Sequence, residues 1–187
     1  MASQADELLL QNAPAWTPQW FRTENITNVE FHRGYIEAVA VPFLAPHTWP
    51  KLFAAAPIRQ LRIVNLEGDA DLIHLLPILS RQNLTALYLD AQNLTDNAIF
   101  SIINHGFPHL TTLSLAYNLL TSNGVSALAE ASHKTRPLPL LSIVNLQGNP
   151  FDPIEQLYED QGILVSRHIP AEAEQLPPAP WLCQSRQ

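Results

Sequence analysis

A leucine pattern recurs at a nearly constant spacing along this chain. The segments that begin at Leu84 and Leu110 superpose, and each fits the pattern L-x-x-L-x-L-x-x-(N/Q)-x-L. A third copy begins at Leu141 after a longer interval, and a fourth begins at Ile58, as far before Leu84 as Leu110 lies after it. A unit of about 20–29 residues cannot bury its apolar face alone and must stack on copies of itself, so this repeat constrains the fold strongly.

The first copy has two possible registers. Residues 63–68 (IVNLEG) nearly repeat residues 143–148 (IVNLQG), which favours a start at Leu61 and would exchange the inward and outward residues of the strand. We prefer the start at Ile58, because the apolar residues that follow then align with those of the next copy. The aligned residues are Leu72, Ile73 and Leu76 with Ala98, Ile99 and Ile102.

The spacing of apolar residues changes within each copy. Leu87 and Leu89 alternate, as one face of a short strand requires. Asp96 is an acceptable helix N-cap, and the apolar residues after it are spaced three and four apart, as on the buried stripe of a helix. These are Ile99, Ile102 and Ile103; in the next copy the strand residues are Leu113 and Leu115, the cap is Ser122 or Asn123, and the helix residues are Val125, Leu128 and Ala129.

An amide side chain follows the strand in three copies. Asn118 and Asn149 occupy equivalent positions, and Gln92 is the homologous residue of the middle copy. An amide can both donate to and accept from backbone groups that would otherwise be buried unpaired. We therefore expect these three side chains to pair with backbone groups of the adjoining turns.

This pattern resembles that of leucine-rich-repeat proteins, and it covers about half the chain, residues 58–151. Residues 31–63 resemble the segment that leads into the repeats of bacterial members with a repeat-companion region. The resemblance implies an α/β fold, a short solenoid of the ribonuclease-inhibitor-like type with a parallel sheet on the concave side and helices on the convex side. The matching residues are Arg33, Gly34 and Tyr35 of an RGF-like strand, Phe43, Leu44, Leu52 and Phe53 of a helix, and residues 57–63 of a second strand, with Tyr35 replacing the phenylalanine.

The two ends of the chain differ from the repeats. We assign residues 1–25 to an N-terminal extension, residues 26–169 to a repeat domain with capping elements, and residues 170–187 to a Pro-rich tail. Trp16, Trp20 and Phe21 are candidates to fold back over the first repeat. For the caps, Val29 and Phe31 predict a strand or hairpin, a short helix follows around residues 49–55, Ile154, Leu157 and Tyr158 predict a last helix, and residues 163–165 predict a last edge strand.

Composition and charge exclude several classes of partner. With 187 residues, 47% hydrophobic and 14% charged, the chain can bury a core. The net charge of −7 and the presence of only two lysines argue against nucleic acid. Proline interrupts every apolar run before it reaches the roughly 20 residues needed to span a bilayer, so we expect no membrane insertion. The first residues, MASQADELLLQ, lack the features of a secretory signal, and the lone Cys183 cannot form an internal disulfide, so we expect a reducing, cytoplasmic location.

The histidines and carboxylates form no convincing metal site, and no cofactor is expected. His105 and His109 are four residues apart, but Gly106 and Pro108 break the helix between them, which favours turn residues over metal ligands. A second cluster alternates in a loop but lacks the further ligands of a calcium loop, so we interpret it as a solvated acidic turn. It consists of Glu67, Asp69 and Asp71.

Nothing in the sequence supports an enzyme. Cys183 lies in the tail with no histidine nearby in sequence, although a nucleophilic cysteine needs a basic and partly enclosed site. The chain contains no G-x-S-x-G motif, phosphate-binding glycine loop or Cys-x-x-Cys pair. We therefore expect a protein without catalytic residues.

The outward residues of the predicted strands form the candidate binding surface. Alternate side chains of a strand share one face and neighbouring strands lie about 4.8 Å apart, so these residues form columns. We expect the central column to contain Glu30, Arg62, Tyr88, Ser114 and Asn145. The whole outward set is Asn28, Glu30 and His32; Gln60, Arg62 and Val64; Ala86, Tyr88 and Asp90; Thr112, Ser114 and Ala116 with Tyr117; and Ile143, Asn145 and Gln147.

Two residue types make this surface a candidate binding site. Arginine and tyrosine are enriched in hot spots, because each buries a large area and still makes a directional polar contact. The strongest patch combines Arg62, Tyr88, Asp90 and Tyr117, and the full set of candidate partner-binding residues is Arg62, Tyr88, Asp90, Ser114, Tyr117 and Asn145. The alternative is a solvated face on which Arg62 pairs with Glu30 or Asp90 across strands.

Together these features predict a non-catalytic protein–protein interaction module. It would bind a protein or peptide on the strand face or through its Pro-rich tail. One alternative is a regulator or inhibitor that covers the active site of an enzyme, and the acidic balance permits a basic client. Another is a structural protein that self-assembles through exposed edge strands or open ends, although we favour a monomer.

Overall fold

The computed structural model describes residues 17–32, 35–132 and 137–150, and the strand 164–166. These residues form an α/β fold. Its helices are α1 (Trp20–Thr23), α2 (Thr48–Ala55), α3 (Asp69–Leu79), α4 (Asp96–His105) and α5 (Ser122–Ala131). Its strands are β1 (Thr27–His32), β2 (Tyr35–Pro42), β3 (Gln60–Val64), β4 (Ala86–Tyr88), β5 (Thr112–Ser114), β6 (Ile143–Asn145) and β7 (Leu164–Ser166). None of the helices in this part of the chain has the length and apolar character needed to cross a membrane.

The strands form one sheet in which spatial order follows sequence order from β1 to β7. Strands β2 to β7 are parallel, and β1 pairs antiparallel with β2. A parallel pair needs a crossover connection, and one helix from α2 to α5 supplies it between each pair of strands from β2 to β6. Consecutive helices α3, α4 and α5 contact one another, so each strand–helix unit packs on its neighbours in the sequence.

The inward residues of the parallel strands confirm the register that starts at Ile58. Leu61, Leu87, Leu113 and Val144 occupy one row across β3 to β6, and all four side chains are fully buried. The alternative start at Leu61 is wrong, because it would have paired Val64 with Leu87. These inward residues and the buried faces of the helices form one hydrophobic core.

The predicted alignment of the first two repeat helices fails at one of its three pairs. Ile73 was aligned with the buried Ile99, but the Ile73 side chain is 38% exposed, whereas Leu72 is fully buried. Leu61 pairs with Leu87, and α4 begins nine residues after Leu87, at Asp96. An equal interval after Leu61 would start α3 at residue 70, but α3 begins one residue earlier, at Asp69. Counted from the first residue of each helix, Leu72 therefore takes the place of Ile99.

Threonine, rather than the predicted Asp96, Ser122 or Asn123, caps the two central helices. The Thr95 and Thr121 hydroxyls each accept a hydrogen bond from the backbone N–H two residues later, at 3.3 Å. Asp96 has a different role, because its carboxylate accepts hydrogen bonds from the backbone N–H and hydroxyl of Thr121. Asp69 accepts the equivalent pair from Thr95, so these carboxylates join the first turns of consecutive helices.

The amide side chains link consecutive units as predicted. Asn118 Oδ1 accepts hydrogen bonds from the backbone N–H groups of Gln92 and Leu94, at 2.9 and 3.0 Å, and its Nδ2 donates to carbonyls of both units. Gln92 Oε1 accepts from the N–H of Leu66 at 2.7 Å, and Asn149 Oδ1 accepts from that of Leu120 at 3.1 Å. The side chains at these three positions therefore satisfy buried backbone groups of the preceding turn.

The strands predicted at the two ends of the repeats are present, although the last one spans Leu164–Ser166 instead of residues 163–165. Strands β1 and β2 form an antiparallel hairpin, and the last edge strand is β7. Phe21 is fully buried and Trp20 packs edge-on against it, so the core includes residues assigned to the N-terminal extension. Trp16, the predicted helix with Ile154, Leu157 and Tyr158, and the tail at residues 170–187 lie outside the described residues.

Candidate interaction surface

The face of the sheet opposite the helices carries most of the predicted binding residues. Arg62, Tyr88, Ser114 and Asn145 occupy one row across β3 to β6, which confirms that they share a face. We call this surface the strand face. The predicted first member of the row was wrong, because β2 lies between β1 and β3 and places Ala40 beside Arg62 instead of Glu30.

Three of the six candidate residues form a hydrogen-bonded chain on the strand face. Asn145 Nδ2 donates to Ser114 Oγ at 3.1 Å, and the Ser114 hydroxyl donates in turn to Asp90 Oδ1. Asp90 Oδ1 also accepts from the backbone N–H of Ala116 at 2.9 Å. These bonds connect β4, β5 and β6 on the strand face and hold the three side chains in place.

Burial makes the negative charge of Asp90 unfavourable. Removal from water raises the pKa of the Asp90 carboxyl above its usual value. Hydrogen bonds from Ser114 and Ala116, and then the positive charge of Arg62, lower this pKa without cancelling the effect of burial. The Asp90 carboxylate is thus held in place by donors that only partly replace its lost hydration.

Tyr88 lies within the electrostatic reach of two carboxylates. Burial raises the pKa of its hydroxyl, and the charges of Asp90 and Glu30 raise that pKa further, while Arg62 lowers it. Burial also raises the pKa of Glu30, whose Oε1 is buried without a hydrogen-bond donor among the described residues. The charge of Glu30 therefore reaches Tyr88, although Glu30 projects from β1, two strands beyond the neighbour of β4.

The predicted ion pair of Arg62 does not form. Within residues 17–32, 35–132 and 137–150, Arg62 makes no ion pair or hydrogen bond with Glu30 or Asp90. Its charge nevertheless lowers the pKa of both Asp90 and Tyr88, so it lies near both groups. Arg62 as a whole is half-buried.

Tyr117 stands apart from the hydrogen-bonded chain. Its backbone is left-handed, with φ of 57°, and its N–H donates to the Gln147 carbonyl at 2.6 Å. The ring lies against Gly148, where any Cβ would overlap it, yet the side chain remains 58% exposed. Tyr117 thus lies where the turns after β5 and β6 meet, at one margin of the strand face.

Three of the residues considered as metal ligands, His105, Asp69 and Asp71, have structural partners. His105 Nδ1 lies 2.9 Å from the Ser101 carbonyl in the last turn of α4, which ends at His105. Asp71 accepts a hydrogen bond from the Glu67 N–H at 2.8 Å, and Asp69 is bonded to Thr95. Among the described residues no group of three or more metal-ligating side chains occurs, and Cys183 lies outside them.

Strand β2 is the part of the surface that the repeat pattern does not reveal. It supplies Ala38 and Ala40 to the strand face, opposite Gln60 and Arg62. A signal was present in the apolar run AVAV at residues 38–41, since a parallel strand buried on both faces reads as a continuous apolar segment. Glu30 pairs with Ala38, so a row of small side chains separates Glu30 from Arg62.

The raised pKa of Asp90 predicts how pH affects stability. The folded chain binds this proton more tightly than the unfolded chain, so the contribution of Asp90 to the free energy of unfolding is full below about pH 3.8 and is lost as pH rises through the folded-state pKa. We expect Asp90→Asn, whose Oδ1 can accept the same two hydrogen bonds, to be as stable as the wild type at pH 7 or more stable by about 1 kcal/mol.

Urea unfolding of both proteins at pH 7, 5 and 4 measures this difference. The advantage of Asp90→Asn should shrink as pH falls, because the wild-type carboxyl becomes protonated. A variant that is less stable at pH 7 and recovers none of that loss at low pH would contradict the assigned effect of burial.

Sequence comparison assigns the chain to no known family. No protein-family model matches it, and no curated protein is significantly similar to it. The function therefore has to be inferred from the surface itself.

Proposed function

We propose that this chain is a non-catalytic interaction module, a short leucine-rich-repeat solenoid of the cytoplasm that binds a protein or peptide partner on its concave strand face. The helices would then form the convex side. Three features support this architecture: the strand order follows the sequence, equivalent residues of the repeats pair across β3 to β5, and amide side chains join consecutive turns. Such stacking gives every unit one strand on a common face.

The pre-arranged row from Arg62 to Asn145 is the observation that carries the proposal. Hydrogen bonds hold Asn145, Ser114 and Asp90 before binding, which lowers the entropy lost when a partner immobilises them. Arg62 and Tyr88 lie beside them and are the side chains that contribute most to hot spots. Such a combination of pre-arranged polar groups with an arginine and a tyrosine supports a binding surface.

Among the described residues, Ser114 has contacts that suit a structural hydroxyl on the strand face. Ser114 is buried and donates to the Asp90 carboxylate, and its only other described partner is the Asn145 amide. A nucleophilic serine needs an accessible hydroxyl beside a general base such as histidine. The Ser114 hydroxyl thus takes part in the hydrogen-bonded chain that supports the proposed binding surface.

An affinity capture experiment tests the proposal. The full chain is immobilised and exposed to lysate of the source cell, in parallel with an Arg62→Ala, Tyr88→Ala variant. We expect one client to be enriched by the wild type and lost with the variant. With the purified client, the double substitution should weaken binding by about 1–3 kcal/mol for each side chain that acts as a hot spot.

A matched control changes one arginine and one aromatic residue away from the strand face. Arg81 and Phe100 are both exposed, so Arg81→Ala, Phe100→Ala should retain the client. Equal capture by the strand-face variant and the wild type would place the binding site elsewhere. A client that is an enzyme inhibited by the chain would identify a regulator, and light scattering that shows ordered oligomers would identify self-assembly.

A further inference from the structure

The helices α2 to α5 form a layer on the side of the sheet opposite the strand face, and this helix layer carries apolar grooves at two places. The first groove lies between α2 and α3, where Phe53, Pro77 and Ile78 line it. The second lies between α4 and α5, where Phe100 and Ile103 line it. Both grooves are open to the surface, so apolar side chains of another molecule can enter them.

Two large apolar side chains are exposed near the middle of the helix layer. The exposed fraction is 38% for Ile73 and 42% for Phe100. Ile73 is the fifth residue of α3 and Phe100 is the fifth residue of α4, and these two helices pack side by side. They therefore occupy equivalent positions on neighbouring helices and join the two grooves into one apolar surface. Continuous apolar surfaces of this kind mark interaction sites, whereas single exposed apolar residues do not.

The two grooves carry opposite charges. Within the described part of the chain, Arg81 is the one charged residue that lines the first groove, and Glu130 is the one that lines the second. Arg81 follows the end of α3 by two residues, and Glu130 precedes the end of α5 by one residue. Helices α3 to α5 run in the same direction, because each connects two parallel strands. Both charges therefore lie at the same end of the helix layer, and both side chains are exposed.

This arrangement makes the helix layer complementary to itself about a two-fold axis that runs along the layer between α3 and α4. Such an axis places the first groove of one copy over the second groove of the other copy. Ile73 then faces Phe100 of the other copy. At the carboxyl-terminal ends of the helices, Arg81 faces Glu130, and two-fold symmetry forms each of these contacts twice.

We propose that two copies of this chain associate through their helix layers in this way. Apolar side chains fill the grooves, and two pairs of opposite charges at one end of the interface fix the relative orientation of the copies. The strand faces point away from the interface, so the dimer presents two of them. This association does not depend on what the strand face binds.

The area of the helix layer is sufficient for a weak dimer. Helices α3 to α5 contain 10 or 11 residues each. Helices of that length are about 16 Å long, and four of them at a spacing of about 10 Å bury about 600 Å² on each copy. The total of about 1,200 Å² lies at the lower end of the range for specific interfaces, so we expect a dissociation constant of about 10–100 μM.

Sedimentation equilibrium of the full chain, at concentrations from about 1 μM to about 1 mM, tests the proposal. We expect a reversible equilibrium between monomer and dimer. Phe100→Asp should raise the dissociation constant about tenfold or more, because it places a charge in the apolar contact. Arg81→Glu alone and Glu130→Arg alone should each have an effect of about the same size, because each variant gives both grooves the same charge.

Recombination of the two charge changes provides the matched control. The double variant Arg81→Glu, Glu130→Arg again pairs opposite charges, and so does an equal mixture of the two single variants. Both should dimerise with a dissociation constant within about threefold of that of the wild type. Arg22→Glu changes the net charge by the same amount as Arg81→Glu, at an exposed residue of α1, and should leave the dissociation constant unchanged.

Three outcomes would overturn the proposal. The first is a wild type that stays monomeric at every concentration. The second is a dimer that neither single charge change weakens. The third is a dimer that the single changes weaken but that neither the double variant nor the mixture restores, since its interface would then have a different symmetry. None of these outcomes bears on the strand face, whose client is tested separately by affinity capture.

Discussion

We expect Leu113→Asp to unfold the chain at room temperature. Leu113 is fully buried on β5, between Leu87 and Val144 on the neighbouring strands. An aspartate at this position would place an unpaired charge in the core that the strands and helices share, and a domain of this kind has a total stability of about 5–15 kcal/mol. Circular dichroism should show loss of the cooperative thermal transition.

A leucine in the next turn provides the control. Leu119 belongs to the same unit but is 52% exposed, so Leu119→Asp should keep a melting transition close to that of the wild type. An unchanged melting temperature for Leu113→Asp would show that the inward row of leucines has been assigned to the wrong face.

The second large effect is expected from Asn118→Leu, which is similar in size but cannot form hydrogen bonds. The substitution leaves the N–H groups of Gln92 and Leu94 and the carbonyl of Leu89 buried without their partner. The carbonyls of Leu115 and Ala116 retain other donors. With three orphaned groups, the free energy of unfolding should fall by about 3–5 kcal/mol in urea titrations.

Asn97→Leu is the matched control for this substitution. Asn97 is exposed in the first turn of α4, so the same change there should alter the free energy of unfolding by less than about 0.5 kcal/mol. A loss below about 1 kcal/mol for Asn118→Leu would mean that the side chain contributes little to joining the units, since each orphaned group should cost at least that much.

The strands that belong to the repeat could be predicted because apolar residues alternate along them with the period of a strand that has one buried face. Leu87 and Leu89 alternate and are both buried, and the equivalent pair in the next unit behaves identically. The bonds of Asn118 could also be predicted, because an amide side chain can both donate to and accept from the backbone groups of a turn. These few positions predicted which side chains of the strands face the core and how neighbouring strands align.

Two kinds of feature could not be predicted in the same way. One depends on the exact length of a connection between strand and helix, and the other depends on a strand outside the repeat pattern. In α3 the buried position passes from Ile73 to Leu72 because the preceding connection loses one residue, and no periodicity marks that loss. The place of Ala40 beside Arg62, where Glu30 was predicted, depends on β2, which lies outside the repeat pattern. By contrast, the grouping of Tyr88, Asp90 and Ser114 could be predicted, because their spacing places them on one face of the sheet.

The strict match of spatial order to sequence order has an evolutionary consequence. Each central unit contacts the unit before it and the unit after it, and the same kind of bond, from a backbone N–H to the amide of the next unit, recurs between them. Removal or duplication of residues 84–109 in the gene would bring together two surfaces that are already complementary, since Leu61 and Leu113 occupy the same row. Chains with this arrangement can therefore change length by whole units during evolution, and each such step adds or deletes one strand of the sheet without redesign of the core.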